Sequence, residues 1–396
     1  MPPAVLLLAG LLLTPVTSQG GTAQYYVRQL RSPRVAVRVD AAAELARLHQ
    51  ESAVPALIAA LGDSVSTVRA QALRALAASA SRHSSPLLTA ALSRRQPAVR
   101  AGAATVLGIL ADRSAVAALE TASRDGDAAV RTSALRALGE IGDPRAARAL
   151  RPRLRDPDIR VRLSAIQTLS ALRDRASAAA LLPMLRDYSR SIQSAAAAGL
   201  ARIGDRSVTS ELARLLAHAD AGVPYGPAFY AAFALGCLGD RRAEAPLVRA
   251  LQAHDPYLRS SAASALAALG DRRAVPALCN RLHDRDRLTR WMSAQALGVL
   301  RDRAATPSLI KALRDPDEDV REQSAKALGK LRDPAAVPGL IASFADSDEA
   351  IPKAAALALG RIGDARALPA VRRLLTHPNA GVRAAARQSV QEMGGH

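Results

Sequence analysis

Histidine, cysteine and paired aspartate side chains are the groups in this sequence that could bind a metal or act as nucleophiles. The seven histidines are scattered, none stands in HExxH spacing and none is followed by Glu. Two cysteines, Cys237 and Cys279, are too few for a disulfide framework or a four-cysteine zinc site. Aspartate pairs such as Asp125 and Asp127 recur in a fixed register, which favours helix caps over a metal site. Gly-rich phosphate loops and nucleophile elbows are also absent, so we expect no catalytic residue, no metal and no cofactor.

Arginine is the other chemically capable side chain, because it binds carboxylates and phosphates. The chain of 396 residues carries 54 Lys and Arg against 35 Asp and Glu, a net charge of +19. The excess is spread along the chain, with 26 basic and 14 acidic residues in 1–198 and 28 and 21 in 199–396. The densest run, Arg145 to Arg162, contains seven Arg and is either a solvated face or an anion-binding patch. Because the charge is dispersed, nucleic acid is a less favoured partner than protein.

The first 27 residues carry no charged side chain, and residues 4–13 are apolar. This run is too short to span a membrane, which takes about 20 apolar residues. It is typical of a secretory signal, and the small residues Val16, Thr17 and Ser18 would allow cleavage before Gln19. We therefore predict a signal peptide over residues 1–18 and export to a periplasmic or extracellular location. A frayed apolar tail is the alternative.

A 31-residue period organises the rest of the chain. One marker position recurs at Val37, Val68, Val99, Val130, Val161 and Ile192, and, after a four-residue insertion near 222–226, at Pro227, Leu258, Thr289, Val320, Ile351 and Val382. Eight residues after each marker stands Leu or Val, and four residues after it stands Ala or Ser. This spacing lies on one face of a 3.6-residue helix. We predict two helices per repeat, with the second helix starting near the marker.

Asp and Gly residues between the helices predict where each helix ends and the next begins. Asp stands thirteen residues after the marker in nine repeats, and in five of them it follows Gly. Gly is typical of a helix C-terminus and Asp of a helix N-cap. A two-helix repeat cannot bury both of its faces alone, so stacking of the repeats must supply the core.

The pattern Asp-x-Asp-x-x-Val-Arg-x-x-Ala-x-x-Ala-Leu-Gly-x-Leu-Gly-Asp, clearest in Asp315 to Asp333 and Asp125 to Asp143, resembles HEAT repeats of the short, phycobilin-lyase-like type. The resemblance covers about residues 22–396 and implies an all-α α-solenoid of about twelve two-helix repeats, with a domain over 19–396. It also implies a ladder of ion pairs between repeats, joining the Arg after each marker to the Asp five residues before the next marker. The second helices would line a concave surface.

The seventh repeat departs from this pattern, because it carries the insertion, Pro227 at the marker and Ala228 at the Arg position. Six of the ten aromatic residues of the chain fall between 225 and 291. The candidate binding residues, with Arg202 and Arg361 as charges at their rim, are Tyr225, Phe229, Tyr230, Phe233 and Trp291. On a concave surface these aromatics would be binding anchors. The alternative is that the insertion folds over them as a local core.

From these features we expect a non-enzymatic scaffold that binds a protein or peptide on its concave face. Two other functions stay open. The repeat type allows a bilin or tetrapyrrole lyase-like protein that handles a chromophore, although no residue can be assigned to that chemistry. The positive charge allows a nucleic-acid-binding HEAT-like protein.

Overall fold

The computed structural model describes residues 19–217 and 225–394. Residues 1–18, over which the signal peptide is predicted, and residues 222–224 of the insertion lie outside the described residues. Throughout the described ranges the regular elements are helices, paired in twelve repeats. The fold is the all-α α-solenoid that the 31-residue period predicts. No described helix is both long enough and apolar enough to cross a bilayer.

The helices form two units, one ending at Leu172 and the other starting at Arg173, a division that falls between repeats. Unit 1 holds five repeats: α1 (Gln19–Gln29), α2 (Val35–Leu48), α3 (Val54–Ala60), α4 (Ser66–Ser79), α5 (Ser85–Ala91), α6 (Pro97–Ile109), α7 (Val116–Ala122), α8 (Ala128–Ile141), α9 (Ala147–Leu150) and α10 (Ile159–Ala171). Odd numbers are the first helices of the repeats, and even numbers are the second helices.

Unit 2 holds seven repeats in the same alternation. Its helices are α11 (Ala178–Leu181), α12 (Arg190–Ile203), α13 (Thr209–Ala217), α14 (Pro227–Leu238), α15 (Glu244–Ala250), α16 (Pro256–Leu269), α17 (Val275–Arg281), α18 (Arg287–Leu300), α19 (Thr306–Ala312), α20 (Glu318–Leu331), α21 (Val337–Ala342), α22 (Ala350–Ile362), α23 (Leu368–Arg373) and α24 (Ala380–Glu392).

Helix ends follow the predicted Asp and Gly residues. At the Asp predicted to cap the first helix, a short 3₁₀ turn begins; the Asp112 carboxylate, for example, accepts the N–H of Ser114 at 2.9 Å. Second helices are capped in the same way, as by Asp127, which accepts from Ala129 and Val130. Gly142 ends α8 in the left-handed region, with φ at 69°. The predicted capping roles of Asp and Gly are therefore confirmed, with the 3₁₀ turn as an addition.

The core of each unit is built from the repeated apolar positions. The Leu eight residues after the marker is fully buried, as in Leu138 of unit 1 and Leu297 of unit 2. The Leu twenty residues after the marker, on the first helix, is equally buried in Leu119 and Leu309. Each such side chain stabilises the fold by about 1.5–3 kcal/mol through its removal from water. Since these positions recur in every repeat, stability is distributed along the stack.

Second helices of adjacent repeats approach closely at a glycine nine residues after the marker. A Cβ added to Gly108 would lie 2.7 Å from Cα of Ala137, which is seven residues after the next marker. The same relation holds in unit 2, where a Cβ on Gly298 would lie 2.9 Å from Cα of Ala327. Because the opposing atom is backbone, the contact leaves no room for a side chain at the glycine. The repeat pattern contains this glycine, but the sequence analysis assigned no role to it.

Replacing Gly108 should test this contact. Gly108→Ala gains about 1 kcal/mol of helix propensity, but forcing α8 away from α6 should cost more, for a net loss of about 1–3 kcal/mol in the free energy of unfolding. Gly126→Ala is the control in the same unit, because a Cβ there meets nothing within 4 Å. Urea denaturation of both variants measures the difference. Equal stability of the two variants would show that the helices can separate without loss.

A ladder of ion pairs joins the turns of adjacent repeats. The Nε and Nη2 atoms of Arg100 donate to the Asp125 carboxylate, both at 2.7 Å, while Nη1 donates to the carbonyl oxygens of Arg94 and Arg95 at 2.8 Å. Asp125 also accepts the N–H of Asp127 at 2.8 Å, which fixes its own turn. One arginine thus holds its own turn and the next turn together.

The same pairing recurs with a separation of 25 residues. The pairs are Arg38–Asp63, Arg100–Asp125 and Arg131–Asp156 in unit 1, and Arg259–Asp284, Arg290–Asp315 and Arg321–Asp346 in unit 2. These six pairs confirm the ladder implied by the HEAT resemblance. Their guanidinium groups are engaged inside the stack, so they contribute little to an exposed basic surface.

Arg69 offers a matched control for the ladder, because it stands in the same register but faces Arg94 where the others face Asp. It bonds only the carbonyl oxygens of Asp63 and Ser64. Arg100→Ala should lower the free energy of unfolding by about 2–4 kcal/mol, since it leaves a mostly buried carboxylate without its partner. Arg69→Ala should cost about 1 kcal/mol. If thermal unfolding showed equal losses of stability for Arg100→Ala and Arg69→Ala, the hydrogen bonds from Arg100 to the Asp125 carboxylate would contribute nothing to stability.

Acid should weaken the ladder. The hydrogen bond from Arg38 holds the pKa of Asp63 below its ordinary value, so folding favours the charged form. The contribution of this ion pair to the free energy of unfolding is complete above the unfolded-state pKa of about 3.9, and it is lost as pH falls through the lower folded-state pKa. Denaturation midpoints should therefore be flat from pH 7 to about pH 5 and decline below about pH 4. A midpoint that rises on acidification would contradict the assigned ion pairs.

Candidate functional site

The seventh repeat positions most of the predicted aromatic residues. Its second helix, α14, begins at Pro227, and the preceding Gly226 is extended. Tyr225 has left-handed backbone geometry, with φ at 57°, which is uncommon for a bulky residue. The ladder position is taken by Ala228, which is buried. This repeat therefore has aromatic residues around the turn where most other repeats have an arginine.

Tyr225, Phe229 and Tyr230 form one aromatic cluster with Tyr257 of α16. The ring centroids of Tyr225 and Tyr257 lie 4.3 Å apart, and that of Phe229 lies 5.1 Å from Tyr225 and 5.2 Å from Tyr230. The edge-on geometry of the last two contacts is the favoured one for aromatic rings. All four rings are half-buried. Such packing suits the local-core interpretation for these residues, while part of each ring still faces solvent.

Arg190 of α12 adds a charge to the cluster. Its guanidinium carbon lies 5.6 Å from the Tyr225 ring centroid, within the range of a cation–π interaction. Desolvation, together with the neighbouring Tyr257, raises the pKa of Tyr225, so the phenol stays protonated at neutral pH. The sequence analysis placed neither Arg190 nor Tyr257 in the site. Tyr257 directly precedes the marker of the next repeat, and that register could have identified it.

Phe233 lies apart from the ring cluster. It is six residues after the marker on α14 and 47% exposed, at a position where Arg74, Arg136 and Gln167 are exposed in other repeats. Among the described residues, no aromatic ring packs against the Phe233 ring. It therefore offers an apolar contact to another molecule.

Trp291 is half-buried on α18 and lines a pocket of about 260 Å³ with Arg287, Leu288 and Asp319. Arg287 lies 3.3 Å from the Asp319 carboxylate and 3.5 Å from that of Asp317. An indole beside an ion pair forms a small site with an apolar wall and a charged rim, which could hold one apolar side chain. The ring contacts do not join Trp291 to the cluster around Tyr225 in the part of the chain that the structure describes.

The remaining predicted charges are exposed. Arg202 lies in the last turn of α12 and Arg361 in that of α22. Arg361 shares a pocket with the basic residues of the preceding two repeats. In the dense run of unit 1, Arg145 and Arg160 bond Asp143 and Asp158, which neutralises part of that charge.

Chemical groups for catalysis are not assembled by the described residues. No three His, Cys, Asp or Glu side chains there come together as a metal site. Desolvation raises the pKa of both thiols, Cys237 and Cys279, which disfavours the thiolate that nucleophilic chemistry requires. The arrangement can offer apolar and charged contacts to a partner.

A family model described as HEAT repeats matches six segments that together cover most of the chain, namely residues 26–98, 84–170, 149–224, 228–298, 275–356 and 337–396. No curated protein sequence matches the chain.

Solved structures with similar folds include two karyopherins. Kap95p in complex with RanGDP superposes with a TM-score of 0.68 at 13% identity, over 95% of this chain and 66% of that one. The crystal structure of Kap121p gives a TM-score of 0.71 at 13% identity, over 95% of this chain and 49% of that one. A second structure of Kap95p, yeast importin-β, gives a TM-score of 0.67 at 13% identity, over 95% of this chain and 68% of that one. The chain thus spans about half to about two thirds of these proteins, and identities this low establish a shared fold alone.

Proposed function

This chain belongs to the HEAT-repeat proteins, and from that premise we propose that it is a non-enzymatic scaffold that binds a protein or peptide on the face formed by its second helices. The observation that carries the proposal is Phe233, an apolar ring left 47% exposed at a helix position where other repeats expose polar side chains. Aromatic anchors of this kind contribute most of the binding energy at protein interfaces.

Helix packing within each unit supports the choice of face. Most consecutive second helices, such as α6 and α8 or α14 and α16, pack along much of their length, whereas consecutive first helices such as α3 and α5 touch only slightly. Closer packing of one helix layer makes that layer the inner one of a curved stack. This difference supports the proposal that the second helices, which carry the anchors, form the concave face.

The structural neighbours suggest the class of partner. Kap121p has been crystallised bound to Pho4p and to the extreme C-terminus of the phosphatase Cdc14p. Both are protein ligands of a stacked-helix protein. By analogy of fold, a protein segment is the partner we propose for this chain, with Phe233 and Trp291 as the main anchors and Tyr225, Phe229 and Tyr230 as a separate, half-buried contact.

One further part of the proposal, export, and two alternative functions come from the sequence. Export through the predicted signal at residues 1–18 would place the scaffold in a periplasmic or extracellular compartment. A chromophore-handling function of the phycobilin-lyase-like type would show as coloured material that copurifies with the protein. Nucleic-acid binding would show as steep salt dependence, but the engagement of the ladder arginines with Asp side chains argues against it.

Removing the two main anchors tests the proposed site. The double variant Phe233→Ala/Trp291→Ala should weaken binding of the partner captured from the native host by at least about tenfold, since each aromatic anchor is worth about 1–2 kcal/mol. The control is Leu87→Ala/Ile109→Ala, which removes two exposed apolar side chains from unit 1. Mass spectrometry identifies the partner, titration of the purified pair gives the affinity, and circular dichroism checks the helices. Equal affinity of wild type and the Phe233/Trp291 variant would reject the site.

A further inference from the structure

A pocket of about 580 Å³ lies at the C-terminal ends of α18, α20 and α22 in unit 2. Five cationic side chains line it, and no acidic side chain does; we refer to it as the basic pocket. Its charged lining consists of Arg301, Arg303, Lys330, Arg332 and Arg361. These residues come from three consecutive repeats, so the charge is gathered by the stacking and is not visible as a run in the sequence.

The cations are brought together by the close helix packing described above. A Cβ on Gly298 would lie 3.5 Å from Cδ of Lys330, and one on Gly329 would lie 3.6 Å from Cδ of Arg361. Each aliphatic stem therefore lies across a glycine of the preceding repeat. Arg303 donates to the carbonyl oxygen of Arg332 at 3.0 Å, which ties two of the turns together.

No carboxylate lines the basic pocket; Asp333 beside it interacts with Arg303 at Coulombic range without forming an ion pair. Within the described ranges none of the five cations forms an ion pair with Asp or Glu. The neighbouring Asp302 and Asp333 accept backbone N–H groups of Ala304 and Ala335 at 3.0 Å, so they serve as helix caps. One repeat further on, Glu392 accepts from Gln388. Cations near helix C-termini are favoured by the helix dipole, but five cations lining one pocket repel each other unless an anion binds.

We propose that the basic pocket binds an acidic peptide segment of the partner, an inference that rests on the proposed peptide-binding function and names the chemistry of the ligand. Packed helices lie about 8–10 Å apart, so cations from three repeats extend over roughly 16–20 Å. A single phosphate group cannot contact all of them. An extended peptide advances about 3.3 Å per residue, so acidic side chains three residues apart match the spacing of the repeats. Arginine forks bind such carboxylates in pairs of hydrogen bonds.

A short synthetic peptide tests the basic pocket directly. The probe is fluorescein-labelled Gly-Glu-Gly-Ser-Glu-Gly-Ser-Glu-Gly, titrated with the full chain at low ionic strength and followed by fluorescence anisotropy. Lys330→Ala/Arg361→Ala should weaken binding about tenfold. Arg241→Ala/Arg272→Ala removes the same charge from exposed positions of unit 2 outside the pocket, and it should change the affinity less than about twofold.

Several results would overturn the proposal. One is that the Glu peptide does not bind the wild type. Another is that a peptide with Gln in place of Glu binds as tightly as the Glu peptide. A third is that both double variants weaken binding of the Glu peptide equally. Displacement by inorganic pyrophosphate at the concentration of the peptide itself would assign the pocket to a small oxyanion, and tighter binding of single-stranded DNA would assign it to nucleic acid. The peptide has no apolar side chain, and the Gln peptide carries the same fluorescein label, so any contact of the label with Phe233 or Trp291 is common to both peptides and cancels in their comparison. A negative result here is therefore separate from a failure of the proposed aromatic site.

Discussion

The close approach of consecutive second helices is the constraint from which the other features follow. In several repeats Gly faces the backbone of Ala at this contact, as at Gly108 and Gly298, and there no larger side chain fits. With the helices this near, the arginine of one turn can reach the aspartate of the next, and the buried leucines can fill the space between the two helix layers. The same approach lays the stems of Lys330 and Arg361 over the preceding repeats and so gathers the basic pocket.

The proposed binding surface consists of positions that this packing does not use. Positions that must be small or apolar for stacking cannot vary, whereas the outward position six residues after the marker is free to carry Arg, Gln or, in one repeat, Phe233. Around Tyr225 the aromatic rings both stabilise the fold and offer a surface for contact, because they pack on each other and on Tyr257 while remaining half-exposed. The proposed binding residues and the residues that stabilise the stack thus occupy different positions of one repeated helix.

Periodicity explains why the fold was predictable. Buried Leu138, the caps at Asp112 and Asp127, and the ion pairs each belong to a position that repeats every 31 residues, so many copies define each role. The proposed aromatic site has a single copy, and its geometry depends on the left-handed backbone at Tyr225. The exposure of Phe233 and the packing of Tyr225 on Tyr257 therefore could not be predicted from the sequence and are known only from the structure. The Gly–Ala contact was within reach of the sequence, because Gly108 and Gly298 share one register, but its tightness depends on a distance between backbones.

The absence of an aspartate partner for Arg69 has a mechanical consequence. The turn of the third repeat carries Arg94 where most other turns carry the accepting aspartate. In unit 1 the helices on either side of this step, α4 and α6, make the least extensive contact of any consecutive second helices. Elasticity in a stack of this kind resides where neighbouring layers are coupled most weakly. Under tension, unit 1 would extend first between its second and third repeats, which makes that joint its most compliant one.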